Sequence, residues 1–407
     1  MSEPRKIVIV GAGLGGASAA AALRERGYTG EVLLMGADPH RPYELPPLSK
    51  GILLGNTDEP DWVHEEKFYA EKDVRFAAGV TATRVELGAR LVLDDAGGEH
   101  RYDRLVLATG SRPRTLPVPG GDLPGLYTLR TLDDALKLRS AFAEAERVVI
   151  VGAGWIGSEA AAAARTHNAD VTVVDPVPVP LANVVGETIG GVFRDLHVSN
   201  GVNYRLGEQV AEITGGPDGV RGVRLGSGEE LRADVVLIAV GAAPRVELAH
   251  AAGLELSDDG GVCVDAGLRT AAPDVYAVGD IAAHFHPRYG RRIRVEHWAN
   301  AKDQGTHVAQ NLLGENEPFL ASPYFFTDQY DLGCEYRGLA DPVTDELVVR
   351  GDLAAREFTA FWLRDGEVAA AMNVNMWDDG DALGTLVDGR AKVTAEQLKT
   401  ADLASLT

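Results

Sequence analysis

Ile7-Val8-Ile9-Val10-Gly11-Ala12-Gly13-Leu14-Gly15-Gly16 decides the fold, and Val148-Val149-Ile150-Val151-Gly152-Ala153-Gly154-Trp155-Ile156-Gly157 repeats it roughly 140 residues later. Each stretch opens with a run of β-branched residues that reads as a strand. Each leads into an Ala-rich run that reads as a helix. The glycines between them suit a tight turn and a close approach of the backbone to a pyrophosphate. The helix N-terminus then directs free N–H groups at that negative charge. One such turn is weak evidence. Two, each set between strand and helix, imply two dinucleotides in one chain, and the natural chemistry is hydride passing between them.

At 407 residues the chain exceeds one ordinary core, so two or three domains are expected. Hydrophobic residues make up 45% and charged residues 24%, the balance of a soluble globular protein. A formal charge of −21 argues against nucleic-acid or anionic-membrane binding, which demand basic surface. No apolar run approaches a membrane span, and Met1-Ser2-Glu3-Pro4-Arg5 leads straight towards the first strand, leaving no room for a signal peptide. A cytoplasmic protein is expected. Cys263 and Cys334 lie far apart and outside any CxxC, so a disulfide framework, a cysteine metal site and a dithiol relay are all disfavoured, and no metal centre is expected.

The first unit continues as helix to about Arg26 and a strand from Glu31 to Met35. The Pro-rich segment Pro39–Lys50 reads as a loop too broken for regular structure. Asp103–Gly110 reads as a buried strand ending in a small-residue turn, and Arg112–Gly120 as a linker. The second unit repeats the plan, with a helix to about Thr166, a strand Asp170–Asp175 and a closing strand Val235–Gly241. Leu107-Ala108-Thr109-Gly110 is echoed by Ile238-Ala239-Val240-Gly241, an internal duplication. Pro273–Asp280 reads as a short strand with an acid at its end, followed by a helix from Ala299 to about Leu313. From Tyr324, short strand-like runs and a helix at Asp381–Leu386 read as a separate α+β domain.

Asp175 closes its strand a little over twenty residues after Gly152, where a carboxylate accepts hydrogen bonds from a ribose 2′-OH and repels a 2′-phosphate. No Arg or Lys follows in Pro176–Asn183, which favours NADH over NADPH. The equivalent place in the first unit, Met35-Gly36-Ala37-Asp38, has no acid at the strand end itself. Its ligand is therefore expected to be gripped elsewhere, best by Asp280 beside Gly279.

Taken together, these residues resemble the two-dinucleotide flavoprotein reductases, and within them the putidaredoxin reductase-like NADH:ferredoxin reductases that serve bacterial oxygenases. The resemblance rests on Arg41-Pro42-Tyr43 with Pro46-Pro47-Leu48-Ser49-Lys50, Ala108-Thr109-Gly110, Arg130-Thr131-Leu132-Asp133-Asp134-Ala135, Tyr276–Asp280 and Ser322–Tyr330. It implies an α/β fold of two Rossmann-like domains plus a C-terminal α+β domain. The expected segments are 1–113 and 245–320 for FAD, 114–244 for NADH, and 321–407 for the C-terminal domain.

FAD in the first site would be lined by Gly11, Gly13, Leu14, Gly15, Gly16, Ala37, Arg41, Lys50, Ala82, Ala108, Thr109, Gly110, Arg130, Gly279, Asp280, Glu296, His297 and Trp298. NADH in the second would be lined by Gly152, Gly154, Trp155, Ile156, Gly157, Glu159, Asp175, Val240 and Gly241. Lys50 and Glu159 are the expected catalytic pair. A cation near the flavin favours the electron-rich reduced ring and can pair with Glu159. Glu296-His297-Trp298 opens a helix whose positive end can stabilise negative charge on the flavin.

With no cysteine pair, electrons must leave from the flavin, which fits single-electron transfer to a ferredoxin, expected to be of the 2Fe–2S kind. Rival acceptors are rubredoxin, a quinone, monodehydroascorbate or oxygen, and a rival class is a flavin signalling protein of the apoptosis-inducing type. A monomer or homodimer is expected. Leu45 and Phe326 depart from the family pattern, which has a basic residue and a tryptophan there. Arg288, Arg291, Arg292 and Arg294 form the one dense basic run, to be read either as an ordinary solvated loop or as a patch able to dock an acidic ferredoxin.

Overall fold

The computed structural model describes residues 4–406, which divide into two compact units. The first comprises the chain up to Glu44, Asp61–Arg112 and Ala243–Pro323; the second comprises Leu45–Pro60, Pro113–Ala242 and the chain from Tyr324 onward.

In the first unit a five-stranded sheet runs in the order Val275–Ala277, Arg104–Leu107, Lys6–Val10, Glu31–Gly36, Val74–Ala78, with every neighbour parallel. Ile7, Val8 and Ile9 are fully buried, as strands covered on both faces require. Helix Leu14–Glu25 is built largely of Ala and Gly, and its small side chains allow helix Trp298–Leu312 to lie close. A Cβ on Gly305 would overlap the carbonyl of Gly15, so that crossing depends on glycine.

In the second unit the parallel order is Val202–Leu206, Asp170–Asp175, Arg147–Val151, Val235–Ile238, Leu126–Tyr127. The duplication read from the sequence extends to single hydrogen bonds. Gly11 N–H reaches Met35 O at 2.8 Å and Gly152 N–H reaches Val174 O at 2.8 Å; Ala108 N–H reaches Val10 O and Ala239 N–H reaches Val151 O, both at 2.7 Å.

The same unit holds a five-stranded antiparallel sheet, ordered Tyr324–Gln329, Leu332–Gly338, Glu367–Val374, Glu357–Arg364, Glu346–Asp352. Its strand Glu357–Arg364 alternates strictly. Phe358, Ala360 and Trp362 pack on Val185, Ile189, Phe193 and Leu196 of helix Ala182–Ser199, while Phe361 and Leu363 pack on Leu383, Leu386 and Val387 of helix Gly380–Gly389. Burial of both faces explains why this strand is apolar at nearly every position.

One local expectation needs correction, and another is extended. The Pro-rich segment is not wholly irregular, because Leu48–Ile52 forms a π-helical turn. Pro47, with φ −61°, sits at its start, where a preset helical φ helps and a missing N–H costs nothing. Ile52 and Leu53 are fully buried, and Leu53 belongs to the second unit's core. Near the C-terminus the helix expected at Asp381–Leu386 spans Gly380–Gly389, and a further helix, Ala395–Thr400, starts at a Thr394/Gln397 capping box.

Candidate active site

The first nucleotide site is assembled where adjacent parallel strands end. Ala108 N–H bonds to Val10 O at 2.7 Å and Val278 N–H to Leu107 O at 3.0 Å, so three strand ends stand level. This is the crevice at the carboxyl edge of an α/β sheet where ligands bind. Gly11, at φ +113°, passes so close to Ala108 O that no Cβ would fit, and Gly16 passes as close to Gly11 O. Gly13 caps helix Leu14–Glu25 in extended conformation, with no side-chain cap and no acid in the first turn. The helix start is thus left for a ligand's negative charge.

Gly36 ends its strand against Ala12, where an added Cβ would come within 2.5 Å of the alanine Cβ. Asp38, beyond Ala37, accepts from His40 N–H at 2.9 Å and Tyr43 O–H at 2.8 Å. Arg41 stacks 4.2 Å over the Trp62 ring. Bonds from Gly79 N–H to Asp38 O and from Val80 N–H to Gly36 O carry the chain towards Ala82. Thr109 Oγ1 donates to Arg245 O at 2.6 Å, and Gly110 O accepts from Arg245 N–H at 2.8 Å.

Asp280 is buried on a short 3-10 turn, Gly279–Ile281. Gly279 there adopts φ +74° and donates its N–H to Gln304 Oε1 at 2.8 Å. His297 caps helix Trp298–Leu312, and Lys302 stacks 4.9 Å over the Trp298 ring. Glu44, which the sequence did not single out, belongs here: burial raises its carboxyl above the usual range, opposed by the Lys302 charge and a hydrogen bond from Trp298.

The basic run proves to be partly structural. Arg292 donates to Val264 O and, at 3.1 Å, to Ala283 O. Arg294 donates to Asp280 O at 3.1 Å and pairs with Glu296. Two of its four guanidiniums therefore tie strand Arg291–Arg294 to its neighbours within the first unit.

The second site repeats the first. Gly152, at φ +115°, leaves no room for a Cβ against Ala239 O, nor does Gly157 against Gly152 O. Gly154 caps helix Trp155–Thr166 without a side-chain bond or a first-turn acid. Asp175 reaches back to this turn, accepting Ala153 N–H at 2.6 Å and Val177 N–H at 2.9 Å. Trp155 is wedged between Phe325 and Phe193, at ring separations of 4.8 and 5.4 Å, whereas Ile156 is exposed. Beyond Val240, Gly241 takes φ +96° and its carbonyl accepts Arg114 N–H at 2.9 Å. Arg130 stands just ahead of the Thr131/Asp134 capping box of helix Leu132–Glu144.

Glu159 is a buried carboxylate with three donors around it. Only 4% exposed, its carboxylate accepts Lys50 Nζ at 2.8 Å, Thr327 Oγ1 at 2.5 Å and the Ser49 hydroxyl. Lys50 also lies 5.0 Å over the Phe326 ring. Ser49, Thr327 and Phe326 were visible only as motif letters. No periodicity marks residues that meet a buried carboxylate from opposite ends of the chain.

Cys263 and Cys334 are both free and buried, and burial raises the Cys334 thiol far above its ordinary range. Among the described residues no cluster of His, Cys, Asp and Glu could hold a metal ion.

Two glycine turns of this geometry, each opening an uncapped helix at the carboxyl edge of a parallel sheet, define a two-dinucleotide reductase. Residues 5–305 match the family model described as pyridine nucleotide-disulphide oxidoreductase, and residues 324–406 the one described as reductase C-terminal. The chain is 37% identical to the ferredoxin–NAD(+) reductase component of the anthranilate 1,2-dioxygenase system of Burkholderia cepacia, over 96% of each chain. It is 36% identical to putidaredoxin reductase of Pseudomonas putida, covering 92% of this chain and 90% of that one. Its fold is similar to the crystal structure of the ferredoxin reductase for the CYP199A2 system from Rhodopseudomonas palustris, with a TM-score of 0.94, 36% identity, and coverage of 98% and 99%. The chain belongs to the pyridine nucleotide-disulphide oxidoreductase family, among its FAD-dependent NADH:ferredoxin reductases.

Proposed function

We propose that this NADH- and FAD-dependent reductase delivers electrons singly to a 2Fe–2S ferredoxin that feeds an oxygenase or a cytochrome P450. The carrying observation is the pair of glycine turns whose helix starts have no side-chain cap. When bound, FAD supplies the conversion of a two-electron hydride donor into single-electron transfers. The chain's own residues bind and orient. Gly11, Gly13 and Gly16 with Asp280 hold the FAD pyrophosphate and sugar, and Gly152, Gly154 and Gly157 with Asp175 hold NADH. An ammonium favours an electron-rich reduced ring, and Glu159 keeps the Lys50 ammonium in one place. Orientation does most of the work, since hydride transfer needs no acid or base.

The two buried thiols support an exit that bypasses any dithiol. A charge of −21 supports the reading that neither nucleic acid nor an anionic membrane is a partner; a cytoplasmic monomer or homodimer is proposed with it. No helix among the described residues is long and apolar enough to cross a membrane.

The test is spectroscopic. The purified protein should absorb near 450 nm and bleach with NADH. Cytochrome c reduction should then rise on adding an acidic 2Fe–2S ferredoxin. A colourless protein that takes up no FAD overturns the reading. Equal cytochrome c reduction with and without ferredoxin overturns the acceptor.

A further inference from the structure

Glu159 is the end point of a longer buried chain of groups. Thr327 and Gln329 stand two apart on strand Tyr324–Gln329, so both side chains face the same side. Thr327 Oγ1 lies 2.5 Å from Glu159 Oε1, Gln329 Nε2 lies 3.1 Å from Thr327 Oγ1, and His197 Nε2 lies 2.8 Å from Gln329 Oε1. Thr327 and Gln329 are 1% exposed and His197 is fully buried. Burial lowers the His197 imidazole below its ordinary range, which keeps it neutral, and its Nδ1 has no hydrogen-bond partner among the described residues. A neutral ring places its one proton on the nitrogen that has an acceptor, here Nε2.

We infer that His197, Gln329 and Thr327 form a one-way hydrogen-bond relay that positions the Glu159 carboxylate, and through it the Lys50 ammonium. Direction follows from donor inventory. With His197 donating to Gln329 Oε1, the Gln329 amide turns its NH2 group towards Thr327. That group can only donate, so it fills an acceptor site on the hydroxyl. The single Thr327 proton is then left for Glu159. Together with Lys50 and Ser49, Thr327 gives Glu159 three donors, the Pro46 carbonyl standing farther from the Ser49 hydroxyl at 3.5 Å. A carboxylate so surrounded has one low-energy rotamer, and the Lys50 ammonium is held with it. Reversing the Gln329 amide would turn two acceptors towards each other at Glu159, a steep cost in a buried site. Thr327, Gln329 and His197 are thus positioning residues, and the inference rests on the role proposed for the Lys50–Glu159 pair.

The experiment uses the FAD-loaded protein. In a sample labelled with 15N-histidine, His197 should give the Nε2–H tautomer in long-range 15N–1H spectra across pH 6 to 8. An Nδ1–H tautomer or a cation overturns the direction of the relay whatever the activity shows. In stopped flow, Thr327→Val should slow flavin bleaching by NADH about tenfold at saturating NADH, while Thr327→Ser should stay within about twofold of the parent. Equal rates in Thr327→Val and Thr327→Ser overturn the positioning role. Glu159→Gln separates the two ideas. If it bleaches at the parent rate, the Lys50–Glu159 pair has no part in the reaction and the relay's role falls with it. If it is slow while Thr327→Val is not, only the relay fails.

Discussion

Lys50 Nζ stands 2.8 Å from Glu159 Oε1, joining residues 109 positions apart in an ion pair that is 16% exposed on the lysine side and 4% on the glutamate side. Removing one partner of such a pair strands the other charge, which typically costs about 3–5 kcal/mol. Glu159→Leu also orphans the Ser49 and Thr327 hydroxyls. We expect it to lose stability on that scale in urea denaturation. The double variant Lys50→Met/Glu159→Leu should recover part of the loss, because a buried pair exchanged for apolar groups is often nearly neutral. Additive losses in the cycle would mean that the two charges do not interact.

Coenzyme choice should follow Asp175. Its carboxylate already bonds to Ala153 N–H of the glycine turn, which fixes it at the strand end, and no cation follows as far as Asn183. A hydrogen bond to a charged group contributes about 1.5–3 kcal/mol. Asp175→Asn with Val177→Arg is therefore expected to lower the ratio of kcat/KM for NADH over NADPH by at least about tenfold. An unchanged ratio would show that Asp175 serves only the loop.

Acid stability should carry the signature of His284. Desolvation, reinforced by the neighbouring His286, Arg292 and His307 charges, lowers its imidazole to about 3. The ring is thus neutral in the folded first unit, while the unfolded chain binds its proton below the ordinary value of 6.5. Between those values the unfolded state holds more protons, so stability falls as pH is lowered through this window. The loss approaches about 1.4 kcal/mol per pH unit for this one group. His284→Gln should flatten the slope of unfolding free energy between pH 6 and 4 by up to one proton. The urea midpoint measured at several pH values decides this, and an unaltered slope would assign acid sensitivity to other groups.

Much of the fold was legible because its signals are local. A run such as Val148-Val149-Ile150-Val151 reports a strand covered on both faces, and Gly11 and Gly152 report backbone that tolerates no Cβ. Asp175 was equally readable, since its place at a strand end fixes what it can reach. The π-helical turn Leu48–Ile52 was not, because the prolines before it signal irregularity, while its anchor is the burial of Leu53 in a core contributed by residues far along the chain. Glu44 was missed for a similar reason: its partners Trp298 and Lys302 arrive on a helix more than 250 positions away.

The amino-acid order by itself determined the two glycine turns, their flanking strands and helices, and the carboxylate Asp175 at its strand end, since backbone sterics and side-chain alternation act over a few residues. Only the tertiary structure decided that Ser49, Lys50 and Thr327 meet at Glu159 with Gln329 and His197 in line behind Thr327, and that Glu44 lies beside Trp298. Those meetings are set by how apolar faces pack. The strand carrying Thr327 and Gln329 is placed by the Phe358–Trp362 face closing on helix Ala182–Ser199, a contact to which no short stretch of sequence refers.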